Sequence, residues 1–229
     1  MYKHIFLDFD DTIYDTHGNS QIALRELYAH FGLDRIFEDF DTYSQIYWKR
    51  NQEVWSLYSH GQMTRQELIV ERFLYPLRQR NTGTAQEALQ MNDWFLDCIS
   101  QKTGLVDGAK DLLNYLQPNY HLHLLSNGFT EVQYKKLRSG GVQSYFEKVI
   151  LSEAAGVNKP DPRIFDYALQ QTGARREESL MIGDNFDTDI QGAINSHIDQ
   201  IFYNVHPAFV APLAPTYEVR SLKEIKLIL

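Results

Sequence analysis

The spacing of apolar side chains changes period twice along this chain. Ile5-Phe6-Leu7 is an unbroken apolar run that stops on Asp8, and a short run of that kind predicts a central strand buried on both faces. The polar stretch 15–19, with Gly18 inside it, predicts a turn. From about Gln21 to Thr103 the spacing becomes helical. Ile22, Leu27, Tyr28 and Phe31 recur near helical spacing, and Gly32 stands where a C-terminal cap belongs. A second helix over 41–59 carries Tyr43, Ile46, Tyr47, Val54, Trp55 and Tyr58. Gly61 followed by Thr64-Arg65-Gln66-Glu67 predicts a turn and the capping-box start of a third helix. A fourth covers 84–102, and no strand pattern interrupts the block.

From Gly104 onward the pattern alternates. Helices are expected at 107–116, 130–139, 162–172 and 188–196, and strands at 120–125, 148–151, 179–182 and 201–203. A last strand near 217–219 leads into a closing helix from Leu222. Segment 206–215 holds three of the seven prolines and reads as an extended loop. Strand–helix alternation predicts a parallel sheet covered on both faces. The expected fold class is therefore α/β, with a Rossmann-like, doubly wound parallel-sheet core formed by residues 1–15 and 104–229. An all-helical cap, residues 16–103, is inserted after the first strand.

Composition narrows the function without naming it. A net charge of −8 over 229 residues argues against nucleic-acid binding through a basic surface. It still allows a small anionic substrate, because a local metal and one lysine can outweigh a global negative field. Cys98 is the only cysteine, so neither an intramolecular disulfide nor a thiolate zinc cluster can form. No signal-peptide pattern and no run of about 18 apolar residues is present, so a cytoplasmic chain that does not engage a membrane is expected.

In doubly wound sheets, ligands bind beyond the carboxyl ends of the strands, so the residues just past each expected strand matter most. The first strand delivers Asp8, Asp10 and Thr12; the second delivers Ser126-Asn127-Gly128; the strand at 179–182 delivers Gly183-Asp184 and then Asp189. Lys159-Pro160 lies between the last two. On an alternating strand Asp8 and Asp10 would share a side, which is costly unless a cation sits between them. Several carboxylates with one lysine make a hard-oxygen site suited to magnesium and a phosphate. Asp8 is then the candidate nucleophile, forming an aspartyl phosphate. Asp10 would protonate the leaving oxygen and later activate water. Thr12, Ser126 and the Asn127 backbone amide are candidate phosphate holders, and Lys159 would neutralise charge on the transferring group. Asp8, Asp10, Asp184 and Asp189 are the expected metal site.

These ordered segments resemble the four motifs of the haloacid dehalogenase-like hydrolase superfamily. Asp10 separates this chain from the family's dehalogenases, which lack an acid at that position, and the resemblance implies phosphate chemistry; the family's phosphomutases carry the same acid, so it leaves mutase activity open. Residues 126–130, 150–159 and 164–169, and the stretch 51–64 with Trp55 and Gly61, are similar to the noncanonical pyrimidine nucleotidase subfamily. That resemblance implies hydrolysis of nucleoside 5′-monophosphates. Other readings are a phosphatase for another small metabolite, such as phosphoglycolate or a sugar phosphate, and a silent phospholigand-binding module. Asn51, Trp55 and Phe129 are candidates for holding a nucleobase where cap and core meet. His121 and His123 share a strand face at the end away from the expected site and read as structural, and Cys98 reads as a small buried hydrophobe.

Overall fold

The computed structural model describes residues 1–206 and 208–229. Pro207, in the expected 206–215 loop, lies outside the described residues, and the rest of that loop contains neither helix nor strand. The chain forms two compact units, Met1–Thr16 with Thr103–Leu229, and His17–Lys102.

The chain opens with strand β1 (His4–Leu7) and passes into helices α1 (Thr16–His30), α2 (Phe40–Ser59), α3 (Arg65–Arg78) and α4 (Ala85–Ser100). Each helix turns an apolar stripe inward. Leu24 and Leu27, Tyr43 and Tyr47, Phe73 and Leu77, and Met91 and Phe95 meet in one buried cluster. Local chemistry fixes the helix starts. Asp39 accepts from the Thr42 amide, and Thr64 and Thr84 each form a reciprocal capping box with the glutamate three residues on. Losing such a cap costs about 1 kcal/mol.

Two expectations need correction here. The polar stretch 15–19 is not a turn, because α1 already begins at Thr16. Gly18 falls within the first turn of that helix. Cys98, on α4, is half-buried rather than sealed in the core, and its thiol lies 2.9 Å from Glu26 Oε2. Burial, then the Glu26 carboxylate, push the thiol up to about 11.

The other unit alternates as the spacing predicts. It continues with α5 (Ala109–Leu116), β2 (His121–Ser126), α6 (Thr130–Ser139), β3 (Lys148–Leu151), the short α7 (Ser152–Ala155) and α8 (Pro162–Thr172). Then come β4 (Ser179–Gly183), a π-helical turn Phe186–Ile190, α9 (Gln191–Asn195), β5 (Asp199–Tyr203) and β6 (Tyr217–Val219). The closing helix is 3-10, Leu222–Leu227. All six strands are parallel, in the order β3-β2-β1-β4-β5-β6. Strand periodicity of two sorts the core. Ile5, Leu7, Leu122, Leu124, Leu180 and Ile182 pack on one face with α5, α6 and the last helix. Phe6, Leu125, Ile150 and Met181 pack on the other with α8 and α9. This is the doubly wound α/β fold the alternation implies, and strand order reverses at β1. No described helix is long and apolar enough to cross a membrane.

Candidate active site

Because β1 stands at the reversal, the loops after β1, β2 and β4 open on one edge of the sheet, where such folds place their ligands. The ladder carries one residue past β1, the Asp8 amide donating to Ile182 O at 2.9 Å. The chain then turns back at once. Asp11 has φ +62°, and the Ile13 and Tyr14 amides both donate to Phe9 O. Asp8 and Asp10 therefore do not sit on a continuing strand, and they acquire different partners.

Asp8 faces a lysine. Lys159 Nζ lies 2.6 Å from Asp8 Oδ1, 2.6 Å from Asp189 Oδ1 and 2.7 Å from Leu125 O. That uses all three ammonium protons, and Lys159 is only 1% exposed. The lysine is aimed by Asn127, whose side-chain amide donates to Lys159 O at 2.9 Å and accepts from Lys159 N at 2.8 Å. Asp161 and Pro162 come next as N-cap and first residue of α8.

The loop after β4 brings in two more acids. Gly183 is required by close approach, because a Cβ there would lie 2.3 Å from Asp189 Oδ2. That oxygen accepts from the Asn185 amide at 3.1 Å. Thr12, fully buried, donates its hydroxyl to Asp184 Oδ1 at 2.8 Å and accepts from the Asp184 amide at 3.1 Å. Thr12 thus touches an acid, not an open space for phosphate.

Carboxylate oxygens of Asp8, Asp184 and Asp189 lie within 4.8 Å of one another. Three acids against one lysine leave an excess of negative charge. Burial pushes the Asp8 carboxyl up to about 8, with Asp189 and Asp10 adding to the rise and Lys159 opposing it. Burial, then the charges of Asp8 and Asp189, carry Asp184 well above the usual carboxylate range. Burial alone would lower Lys159, but Asp189 and Asp8 outweigh it and hold the ammonium charged. Hard oxygens with surplus negative charge fit a divalent cation of the magnesium type.

Asp10, expected in the metal set, has its carboxylate elsewhere. Oδ1 accepts from Lys136 Nζ at 2.6 Å and Thr16 Oγ1 at 2.5 Å, and Oδ2 accepts from Gln133 Nε2 at 2.6 Å. Burial raises this carboxyl, but the Lys136 charge and the three hydrogen bonds outweigh it and hold it below its ordinary value. The electrostatic problem that two nearby acids pose is solved by two lysines, one for each.

Gln133 and Lys136 are the residues that sequence reasoning missed. A signal was available: Val132, Gln133, Lys136 and Leu137 form the buried stripe of α6, so two polar residues occupy core positions. Of the expected base-holding residues, Phe129 is 2% exposed and belongs to the core of its unit. Asn51 and Trp55 lie half-buried on α2, where the Trp55 ring meets Tyr58 edge-on at 5.7 Å. His4, His121 and His123 stack at the opposite end of the strands, His123 buried against Phe6, as a structural role predicts.

A family model described as haloacid dehalogenase-like hydrolase matches residues 2–197. Pyrimidine 5′-nucleotidase YjjG of Escherichia coli (strain K12) is 31% identical over 227 residues, 98% of this chain and 96% of that protein. Pyrimidine 5′-nucleotidase PynA of Streptococcus pneumoniae is 31% identical over 228 residues, covering 98% of this chain and 94% of the relative. The crystal structure of the HAD-hydrolase YfnB from Bacillus subtilis, bound to magnesium, superposes with a TM-score of 0.90 at 30% identity. That match covers 100% of this chain and 98% of the other.

Proposed function

This chain belongs to the haloacid dehalogenase-like hydrolase family and is a phosphoric monoester hydrolase, and from that premise we propose that it cleaves nucleoside 5′-monophosphates, pyrimidine ones first. The observation that carries the reading is the buried Lys159 ammonium held between Asp8 and Asp189 beside Asp184. The two nucleotidase relatives support the substrate class.

Asp8, Asp184 and Asp189 would hold magnesium, which when bound supplies positive charge to the phosphoryl oxygens. The chain's own residues do the rest. An Asp8 carboxylate oxygen attacks phosphorus, the bond from phosphorus to the 5′-oxygen breaks, and that oxygen takes a proton from Asp10. In the second half, Asp10 takes a proton from water. The water oxygen attacks phosphorus, and the bond to Asp8 breaks to release inorganic phosphate. Ser126 and the Asn127 amide hold phosphoryl oxygens, and Lys159 offsets the charge that develops on them. Asp10 ionised against Lys136 is the form that takes a proton; to protonate the leaving oxygen it must first gain one. Asn51, Trp55 and Phe129 remain our candidates for selecting the base. A single cysteine held as a free thiol suits a reducing compartment, and we place the enzyme in the cytoplasm.

A panel of pyrimidine monophosphates against phosphoglycolate and sugar phosphates, with magnesium and with chelator, tests the proposal. Turnover is expected on the nucleotides, lost with chelator and in Asp8→Asn. Equal or better turnover of the non-nucleotides would refute the substrate class.

A further inference from the structure

Gln133 is fully buried on the inner stripe of α6, and none of the chemistry above uses it. Its Nε2 donates to Asp10 Oδ2 at 2.6 Å and to Ser126 Oγ at 2.7 Å. We propose that Gln133 is a positioning residue that fixes the Ser126 hydroxyl and the Asp10 carboxylate from one amide nitrogen, a role that rests on the phosphatase reading above.

The hydrogen-bond inventory gives this role its content. A serine hydroxyl has one proton to give and two lone pairs to accept with. Ser126 Oγ accepts from Gln133 and, at 3.1 Å, from the Gly128 amide. With both lone pairs engaged, its proton is left for an acceptor such as a phosphoryl oxygen. Gln133 thereby makes Ser126 a donor while holding the group that moves the leaving-group proton. The amide cannot be turned round, because Oε1 would then face the Asp10 carboxylate, which only accepts when ionised. In the orientation seen, Oε1 is buried without a partner. An unpaired buried carbonyl is a cost to folding that methionine at 133 would not incur, so packing alone does not account for glutamine here. Gly128 makes room for the contact, since a Cβ on it would lie 2.2 Å from Gln133 Nε2.

The test compares two leaving groups in wild type and Gln133→Met, using uridine 5′-monophosphate and p-nitrophenyl phosphate with magnesium. kcat/KM reports steps only as far as formation of the covalent intermediate, where an alkoxide needs a proton and nitrophenolate does not. Misplaced general acids cost on the order of 100-fold or more. We expect kcat/KM to fall about 1,000-fold on the nucleotide and about tenfold on the aryl ester, the shared tenfold being the Ser126 contribution. Gly128→Ala, which displaces the same amide from outside, should show the same split and serves if the methionine variant does not fold. Equal losses on both substrates, or losses under about threefold on both, overturn the inference while leaving the phosphatase reading intact. A wild-type protein that turns over neither substrate overturns the reading, and the inference with it.

Discussion

Replacing Lys159 by methionine isolates the largest electrostatic stake in the site. The ammonium is 1% exposed and makes its two ion pairs at 2.6 Å with carboxylates that are themselves buried, Asp8 at 7% and Asp189 at 1% exposure. Methionine keeps the unbranched apolar stem and is one atom shorter than lysine, so lost packing is small. What remains is two buried carboxylates without their cation, and removing one partner of a buried pair costs about 3–5 kcal/mol. Domains are stable by only about 5–15 kcal/mol, so the variant should fold but sit near its threshold. At roughly 2–4 °C per kcal/mol for a chain of this size, the melting temperature should fall by about 6–20 °C. Urea unfolding in the presence of chelator would read the free energy directly. The mechanism is checked by adding Asp189→Asn, which removes one of the stranded charges. If repulsion and desolvation of unpaired carboxylates cause the loss, the double variant should recover at least about 1 kcal/mol over Lys159→Met. A single variant as stable as wild type, or a double variant whose losses simply add, would refute the reasoning.

The same geometry sets two further outcomes. Gly183→Ala places a Cβ 2.3 Å from Asp189 Oδ2, so it should destabilise by about 1–3 kcal/mol, as overpacking does, and weaken magnesium binding measured by calorimetry; unchanged affinity would contradict the placement of Asp189. His123 is held down to about 4, by burial first and then by His4, so the unfolded chain takes up a proton below about pH 6.5 that the fold refuses until about pH 4. Stability should therefore be full above about pH 6.5 and fall by roughly 2–3 kcal/mol on acidification toward pH 4, with His4, also lowered by burial, acting in the same direction. His123→Phe should flatten that limb in urea unfolding between mildly acidic and neutral pH, and an unchanged slope would rule out this histidine as its source.

The sheet was readable because short apolar runs bounded by turn residues survive burial on both faces: every expected strand lies within two residues of its observed bounds. The helical unit was readable from its caps as much as its stripes. What the sequence hid is set by contacts over long separations. The reach of Lys136 back to Asp10 spans 126 positions, and the hold of Asn127 on Lys159 spans 32. Thr12 shows the same limit. Its place two residues after Asp10 suggested phosphate, yet its hydroxyl is committed to Asp184, 172 positions away. The alternation argument for Asp8 and Asp10 failed for a local reason. It assumed a strand where the chain has already turned, with Asp11 at positive φ.

In the mechanism we propose, that turn is what lets two acids so close in sequence take opposite roles. Groups whose surroundings drive their proton affinities apart divide the work of acid, base and nucleophile between them. Asp8, crowded by Asp184 and Asp189, is pushed up, whereas Asp10, gripped by Lys136, Thr16 and Gln133, is held down. The first half of the proposed reaction asks the reverse of both, an ionised Asp8 and a protonated Asp10. Positive charge among the three clustered acids would correct the first, since it favours the Asp8 anion. The second cannot be corrected from that side, because the donors that favour the Asp10 anion come from α6 and from Thr16. The donors of α6 therefore favour the Asp10 form that takes a proton from water, while the same contacts fix where the carboxyl stands for the half in which it gives one up.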